Sequence, residues 1–314
     1  MSGPLTQQDG IAAAAPETVE GPVLEITPAR VAGVGSIQVQ RALPRRGRRT
    51  VGAWCFADHF GPTAPEQVTD GSIGPHPHMG LQTVTWLLGG HMVHTDSLGS
   101  EQPIHPGQLN LMTAGRGVVH AEHTVDGHAM HLIQLWIAQP DATRNAAPAF
   151  EHHAELPRSE IDGVEITLIN GEYAGTRSPA RTDTALVGAQ LTLHGGAATL
   201  PLRHDFEHAL IVLDGNVQID GTPVEPSALA YLGTGRDELH LRAAGDAHVL
   251  LIGGEPFEAM PLMWWNFVAR TREEVDAAYR DWRDDDEERF GVARSALQRI
   301  PAPVPFWWTQ PPAQ

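Results

Sequence analysis

The sequence has little thiol, few positive charges and no long apolar run. Its 314 residues contain one cysteine, Cys55, which excludes an intramolecular disulfide and favours a reducing, cytoplasmic location. No uncharged apolar stretch approaches the roughly 20 residues that span a bilayer, and the first 22 residues lack the basic start and apolar core of a secretory signal. Lys and Arg number 21 against 38 Asp and Glu, a formal net charge of −17, which disfavours nucleic acid and anionic membranes as direct partners.

Histidine is abundant by comparison, with 17 residues against 3 Tyr and 8 Phe. Many histidines with one cysteine point to metal sites built from imidazole and carboxylate rather than thiolate. From residue 24 to residue 257 the chain shows short apolar runs separated by Gly and Pro turns. This pattern predicts an all-β protein built as a sandwich or barrel.

The two ends of the chain differ from this middle part. Residues 1–22 have no apolar period and are predicted to be a disordered tail. Thr271 and Glu274 form a capping box, which predicts a helix that continues to about Phe290. The Pro-rich tail over 301–314 carries three aromatic residues, so we expect it to pack on the body or on a second subunit.

An internal repeat underlies the β-rich part. His78 lies 11 residues before Gly89, and His204 lies 11 residues before Gly215. The repeat predicts two similar tandem units. We therefore divide the chain into a tail over 1–22, a first unit over 23–150, a second unit over 151–270, and a helix with a tail over 271–314.

The first unit contains two pairs of metal-ligand residues, His76 with His78 and His120 with Glu122. Residues two apart on a strand share a face, so each pair presents two ligands side by side. Three imidazoles and one carboxylate suit a divalent Fe, Ni, Mn, Co or Cu ion and leave open positions for exchangeable ligands. Pro77 cannot donate to a sheet ladder, which predicts a strand start or an edge strand.

These pairs lie in longer motifs that resemble the pirin family of the cupin superfamily. The motifs are ADHFGP at 57–62, HPHMG at 76–80 and MTAGRGVVHAE at 112–122, and the resemblance extends over roughly residues 34–305. It implies a bicupin fold, two tandem double-stranded β-helix barrels, with one metal in the N-terminal barrel. The implied ligands are His76, His78, His120 and Glu122, with Fe(II) favoured and Ni, Mn, Co or Cu as alternatives.

Three further residues are weaker candidates. Most cupins have a metal-binding Glu where this chain has Gln82, so Gln82 either supports the ligands by hydrogen bonding or merely lines the barrel. His59 could line the mouth of the site. Alternation places Gln82 on the face of His78, and Trp86 on the face of His76 and His78. Trp86 could therefore wall a pocket for a planar aromatic ligand, although most tryptophans in the chain are expected in the core or at an interface.

The second unit replaces the ligand residues. Its counterparts of His76 and Glu122 are Leu202 and Arg242, and a guanidinium repels a cation. We therefore expect this unit to hold no metal, with its histidines in the core or at the barrel mouth.

The resemblance implies two functions of different classes. One is a metal-dependent dioxygenase that opens a flavonol such as quercetin with O2, with Glu122 as general base for the flavonol hydroxyl. The other is an iron-dependent regulatory protein that binds a transcription factor or a metabolic enzyme. A stable bicupin with an incidental metal is a third interpretation, and the sequence leaves open whether the chain is a monomer or a dimer.

Overall fold

The protein was analysed as a computed structural model that describes residues 21–63, 71–125 and 129–309. The predicted tail over 1–22 lies outside the described residues except for its last two positions. The first twelve strands are β1 (Pro22–Thr27), β2 (Arg30–Val34), β3 (Ile37–Leu43), β4 (Trp54–Phe60), β5 (Ile73–His78), β6 (Leu81–Gly89), β7 (Met92–Asp96), β8 (Glu101–Ile104), β9 (Leu109–Thr113), β10 (Val118–Thr124), β11 (His131–Ala138) and β12 (Ala149–His153).

The remaining elements complete the second unit and the C-terminal segment. They are β13 (Arg158–Ile161), β14 (Val164–Tyr173), β15 (Thr176–Arg177), β16 (Leu186–Pro201), β17 (Glu207–Asp214), β18 (Val217–Ile219), β19 (Thr222–Val224), β20 (Leu229–Gly233), β21 (Glu238–Gly254), β22 (Leu262–Trp264), β23 (Phe267–Ala269), α1 (Arg272–Arg283), α2 (Glu287–Phe290) and α3 (Phe306–Thr309).

The first unit consists of two sheets. The larger has the strand order β12-β9-β6-β11-β4-β3-β2, and the smaller has the order β5-β10-β7-β8. The pairings within both sheets are antiparallel. Strand β5 is an edge strand, which confirms the position predicted for Pro77.

The second unit is one continuous sheet with the main order β1-β20-β17-β21-β16-β14-β13. Strands β16 and β21 are 16 and 17 residues long, and their pairing shifts register between His194 and Gly196. The predicted β-rich two-unit architecture is confirmed. One strand differs from the predicted division, because β1 pairs with β20 although all its residues except Pro22 fall within the predicted first unit over 23–150. The first described strand therefore lies in the second sheet, and the following strands lie in the first.

The largest cores have different locations. One cluster, with Leu200, Leu210 and Leu251 among its members, fills the interior of the second unit and is apolar throughout. Another contains residues of both units, for example Val84 and Ile211, and forms the interface between them. Trp54 reinforces this interface by donating its Nε1–H to the carbonyls of Val187, at 3.0 Å, and Gly253, at 3.1 Å.

The helical segment begins as predicted but is divided in two. Thr271 caps α1 by accepting from the Glu274 amide, and the exposed acidic residues 284–288 follow the end of α1. Asp286 then caps α2, which ends before Gly291. The predicted packing of the tail is seen for Trp307, which contacts Trp264; residues 310–314 lie outside the described residues. No helix in the described ranges is long and apolar enough to cross a membrane.

Candidate metal centre

Strands β5 and β10 bring the two predicted ligand pairs together. In their antiparallel pairing His120 lies opposite His76, and Val118 lies opposite His78. The ring centroids of His76 and His120 are 4.3 Å apart, and those of His78 and His120 are 4.9 Å apart. One ligand atom from each of the three imidazoles lies within 4.8 Å of the other two. The pairing of β5 with β10 thus brings together histidines that are more than 40 residues apart in the sequence.

Burial keeps these imidazoles neutral. All three are at most 1% exposed. Desolvation lowers the pKa of His76 to about 4, and it lowers the pKa of His78 and His120 well below the ordinary range. A neutral imidazole retains a ring lone pair, which is the form that binds a metal.

The hydrogen bonds of the cluster leave nitrogen lone pairs without partners. His76 donates its Nδ1–H to the carbonyl of Gly74 at 2.8 Å, so its Nε2 carries the lone pair. That Nε2 is buried without a hydrogen-bond partner, as are Nε2 of His120 and both ring nitrogens of His78. Buried polar atoms are normally satisfied. Three imidazoles that direct unsatisfied nitrogens toward one another fit a divalent transition metal.

The C-terminal segment supports the outer edge of β5. The Ile300 amide donates to the Pro75 carbonyl at 2.8 Å. A Cβ at Gly74 would clash with the carbonyl oxygen of Gln298, so only glycine allows this close approach. Because the Gly74 carbonyl also orients His76, the C-terminal segment holds one imidazole of the cluster in place.

Glu122 lies beside the cluster rather than within it. Its carboxylate is 2% exposed and shares the face of β10 with His120. The pairing with β5 shifts register between His120 and Glu122, which places Glu122 opposite Ile73. The three-imidazole group defined by the 4.8 Å separations does not include this carboxylate. Its assignment as fourth ligand stays a prediction.

Two residues next to the cluster were missed by the sequence analysis, His94 and Asp96. Both are buried, with His94 5% exposed and Asp96 2% exposed. Nδ1 of His94 lies 3.3 Å from Nδ1 of His120, and its Nε2 lies 3.0 Å from Oδ2 of Asp96. Phe150 stacks on the His94 ring at 4.4 Å. The His-x-Asp spacing on β7 was the available signal, but it needed the strand register to become meaningful.

Asp96 is held as a carboxylate. Its Oδ1 accepts from the amides of Leu98 and Ser100, at 2.9 and 3.0 Å. Burial opposes ionisation, but the hydrogen bonds from His94 and Ser100 prevail and hold the pKa of Asp96 below its ordinary value. The buried cluster therefore has a negative charge on the far side of His94.

Aromatic side chains flank the cluster. Trp136 presents its ring to His78 edge-to-face at 5.3 Å, and Phe56 stacks on Trp136 at 4.0 Å. Neither residue was a sequence candidate. Both are fully buried, and the Trp136 Nε1–H is without a hydrogen-bond partner.

Gln82 and Trp86 do not follow the predicted alternation with His76 and His78. Strand β5 ends at His78 and β6 begins at Leu81, and between them Gly80 has a φ of +72°. The alternation of side chains along β5 does not continue through such a turn, so the side-chain directions on β6 cannot be counted from His78. The predicted common face is the error in the sequence argument.

The other face of β6 points to the second unit. Trp86 belongs to the interface cluster and donates its Nε1–H to Oε1 of Gln190 at 2.7 Å. Gln82 has the same parity on β6 and donates its Nε2–H to Oγ1 of Thr113 at 2.9 Å. The structure therefore places Trp86 in the interface rather than along a pocket at the imidazole cluster.

His59 also takes part in the interface. Its Nδ1 lies 2.7 Å from Oγ of Ser227 in the second unit, and its Nε2 lies 2.9 Å from Nε2 of His131. His59 is 2% exposed, and burial lowers its pKa to about 3. The structure thus gives His59 a contact between the units instead of the predicted place at the mouth of the site.

The histidines of the second unit are arranged differently. His204 and His240 are exposed, as is Arg242, whereas His208 is 1% exposed. The exposed position of His204 differs from the predicted core or mouth position. Across residues 21–63, 71–125 and 129–309, the cluster of the first unit is the one group of three or more ligand side chains that converges.

Comparison with known proteins agrees with this architecture. Family models match in both units, Pirin over residues 36–137 and the Pirin C-terminal cupin domain over residues 189–291. A Pseudomonas aeruginosa protein, provisionally named quercetin 2,3-dioxygenase, is 46% identical over 91% of this chain and 91% of its own.

Two solved structures are similar as well. The crystal structure of a quercetin 2,3-dioxygenase from Acinetobacter baumannii has a TM-score of 0.86 and 43% identity, covering 93% of this chain and 97% of that one. A bacterial pirin from Escherichia coli in complex with nickel(II) shares the fold, with a TM-score of 0.59 and 18% identity over 74% of this chain and 100% of its own. The chain, with its two cupin units and short C-terminal helix, belongs to the pirin family.

Proposed function

We propose that the chain is a metal-dependent dioxygenase that opens a flavonol of the quercetin type with O2. The observation that carries the proposal is the buried convergence of three neutral imidazoles whose lone pairs have no other partner. The names of the relatives at 46% and 43% identity support the same activity.

The proposed cofactor is one divalent transition metal held by His76, His78 and His120, with Glu122 as a fourth ligand. Fe(II) is favoured because the reaction uses O2, and the nickel(II) complex of the Escherichia coli pirin supports nickel as an alternative; Mn, Co and Cu also suit imidazole and carboxylate ligands. When bound, the metal would supply Lewis acidity toward a flavonol oxygen and positions for exchangeable ligands.

Glu122 is the proposed general base. Its carboxylate oxygen would take the proton of the flavonol hydroxyl and hold it while the ring reacts. Glu122 lies on the same face of β10 as His120 but is not one of the converging imidazole group. This position supports a role beside the proposed metal. A carboxylate that is weakly held can accept a proton more readily than one fixed by several ligand bonds.

The aromatic surface for a planar substrate is proposed to come from Trp136, with Phe56 stacked behind it. Trp136 contacts His78, whereas Trp86 lies in the interface between the units. A flat apolar wall would orient a flavonol, and the Trp136 Nε1–H offers one donor beside it.

The test is aerobic turnover of quercetin by the iron-loaded protein, followed as loss of flavonol absorbance together with O2 uptake. The His76→Ala, His78→Ala double variant should lose the activity, whereas the matched His204→Ala, His240→Ala variant should retain it. A protein that binds one iron per chain but neither bleaches quercetin nor consumes O2 would contradict the proposal. An interaction partner retained in only one iron oxidation state would then favour the regulatory alternative.

A further inference from the structure

Behind the imidazole cluster, three buried side chains form a continuous line from a carboxylate to a proposed metal ligand. In the pairing of β10 with β7, His120 lies opposite Asp96 and Glu122 lies opposite His94. His94 lies between the other two members, 3.0 Å from Oδ2 of Asp96 and 3.3 Å from Nδ1 of His120. Residues 94 and 96 share one face of β7, so both face the same interior as His120.

The proton positions along this line follow from which atoms can donate. The Asp96 carboxylate can only accept, so Nε2 of His94 must carry the hydrogen. In the imidazole form of His94 the lone pair is then at Nδ1, where it accepts from the Nδ1–H of His120 at 3.3 Å. The lone pair of His120 is therefore at Nε2, the atom that is buried without a partner in the cluster.

We propose that Asp96 and His94 are positioning residues that fix His120 in the tautomer able to bind the metal and strengthen it as a ligand. The inference rests on the proposed metal role of His120. Partners of this kind orient a ligating histidine and raise its basicity, because they favour positive charge on its proton-bearing nitrogen. Here the negative charge acts through an intervening imidazole rather than directly.

His76 gives an internal comparison. Its Nδ1–H is fixed by the backbone carbonyl of Gly74 at 2.8 Å, a neutral acceptor. His120 instead faces a side chain connected to a carboxylate. The two ligands should therefore differ in basicity. The partner of His120 is a side chain and can be substituted, whereas the partner of His76 is a backbone carbonyl and cannot.

The packing around His94 limits its alternatives. Phe150 stacks on its ring with an interplanar angle of 13°, which fixes the ring plane. The turn amides of Leu98 and Ser100 hold the other oxygen of Asp96. With both neighbours fixed, rotation of the His94 ring would break contacts at both ends.

The most direct test uses the metal-free full-length protein. Long-range 1H–15N NMR correlations of labelled histidine, assigned with single His→Asn variants, report which ring nitrogen carries the proton. The proposal predicts Nδ1–H for His120 and Nε2–H for His94. Nε2–H on His120 would overturn it whatever the enzymatic activity.

A second test measures cobalt(II) affinity and the visible d–d spectrum of the bound ion. His94→Leu removes the acceptor for His120 and should weaken binding by roughly 10- to 100-fold, with an altered spectrum. His94→Asn places an amide oxygen near the position of Nδ1 and should restore part of the affinity. Asp96→Asn keeps an acceptor for His94 but removes the charge, so it should give an intermediate loss.

The control and the outcomes separate this inference from the proposed function. His105→Asn alters an exposed pair, His91 with His105, whose Nδ1 atoms are 2.6 Å apart, and should leave affinity and spectrum unchanged. If the wild-type chain binds no cobalt, the proposed metal site fails. If it binds cobalt and the His94→Leu and Asp96→Asn variants, both folded by circular dichroism, match its affinity and spectrum, only the positioning role fails.

Discussion

The two barrels have interiors of opposite character, although they share one fold. In the first, three imidazoles, a carboxylate and the bidentate Arg41–Asp58 ion pair, at 2.6 and 2.7 Å, are enclosed with little solvent access. In the second, the corresponding interior is an apolar cluster. Burying charge is costly unless every group has a partner, whereas apolar burial stabilises directly. The first barrel thus encloses groups that suit a divalent metal, whereas the second encloses an apolar core that stabilises the fold.

Individual residues of the second barrel show the difference between the two interiors. Leu202, the sequence counterpart of His76, packs against the apolar cluster. Glu207 accepts from the Gly52 amide at 2.8 Å and the Tyr231 hydroxyl at 2.7 Å. The second barrel therefore uses its buried carboxylate to bind the first barrel.

The largest expected effect is on quercetin turnover, from substitution of Glu122 in the first barrel. Glu122→Gln should reduce quercetin turnover by roughly 10²- to 10⁴-fold, the usual contribution of a general base, while much of the metal is retained. Stopped-flow absorbance and metal analysis would measure the two quantities. Glu207→Gln is the matched control in the other barrel and should leave turnover per folded molecule unchanged. Wild-type turnover by Glu122→Gln would remove the general-base role.

Substitutions in the apolar core of the second barrel should lower the free energy of unfolding rather than metal affinity. Leu251 is fully buried in the apolar cluster, so Leu251→Ala should lower the free energy of unfolding by about 2–5 kcal/mol. Urea denaturation would measure this loss. Metal affinity of the folded variant should match the wild type; a large drop in affinity would show that the two barrels are not divided in role.

The interface between the barrels should respond to pH. Since the folded pKa of His59 is about 3, below its ordinary value of 6.5, the unfolded chain binds a proton that the folded chain does not. This contribution to stability is therefore complete above about pH 6.5 and decreases as the pH falls toward 3. His59→Asn retains an atom near Ser227 but does not titrate, so its unfolding free energy should fall less steeply between pH 7 and pH 4. The exposed His204→Asn should keep the wild-type slope, and an equally steep slope in His59→Asn would contradict the assignment.

The smallest expected effect concerns Trp86. Trp86→Phe removes the hydrogen bond to the half-buried Gln190, which should cost about 0.5–1.5 kcal/mol of stability. Thermal unfolding would measure it. Quercetin KM should not change, because Trp86 faces the interface; a raised KM at unchanged kcat would return Trp86 to the substrate pocket.

The sequence was sufficient for features that depend on local spacing. The two-residue separation within each ligand pair predicted shared faces, and the repeat predicted two units. The convergence of His76 and His78 with His120 followed as well, because it needed only that the two strands be neighbours.

Features that depend on strand register or on turns were less accessible. The left-handed turn at Gly80 broke the alternation that had linked Gln82 and Trp86 to the ligands. The role of His94 depends on its pairing across β10, and the crossing of β1 to the second sheet depends on an edge that only the complete fold provides. Short-range patterns contain no information on these contacts.

The two barrels should differ in metal binding, and the metal content per chain measures that difference. Wild-type protein, the His76→Ala, His78→Ala variant and the His204→Ala, His240→Ala variant would be loaded with iron under identical anaerobic conditions, desalted and analysed by mass spectrometry for metal. About one iron per chain is expected in the wild type and in the second variant, and almost none in the first. Two irons per chain in the wild type, or loss of iron in the second variant, would contradict it.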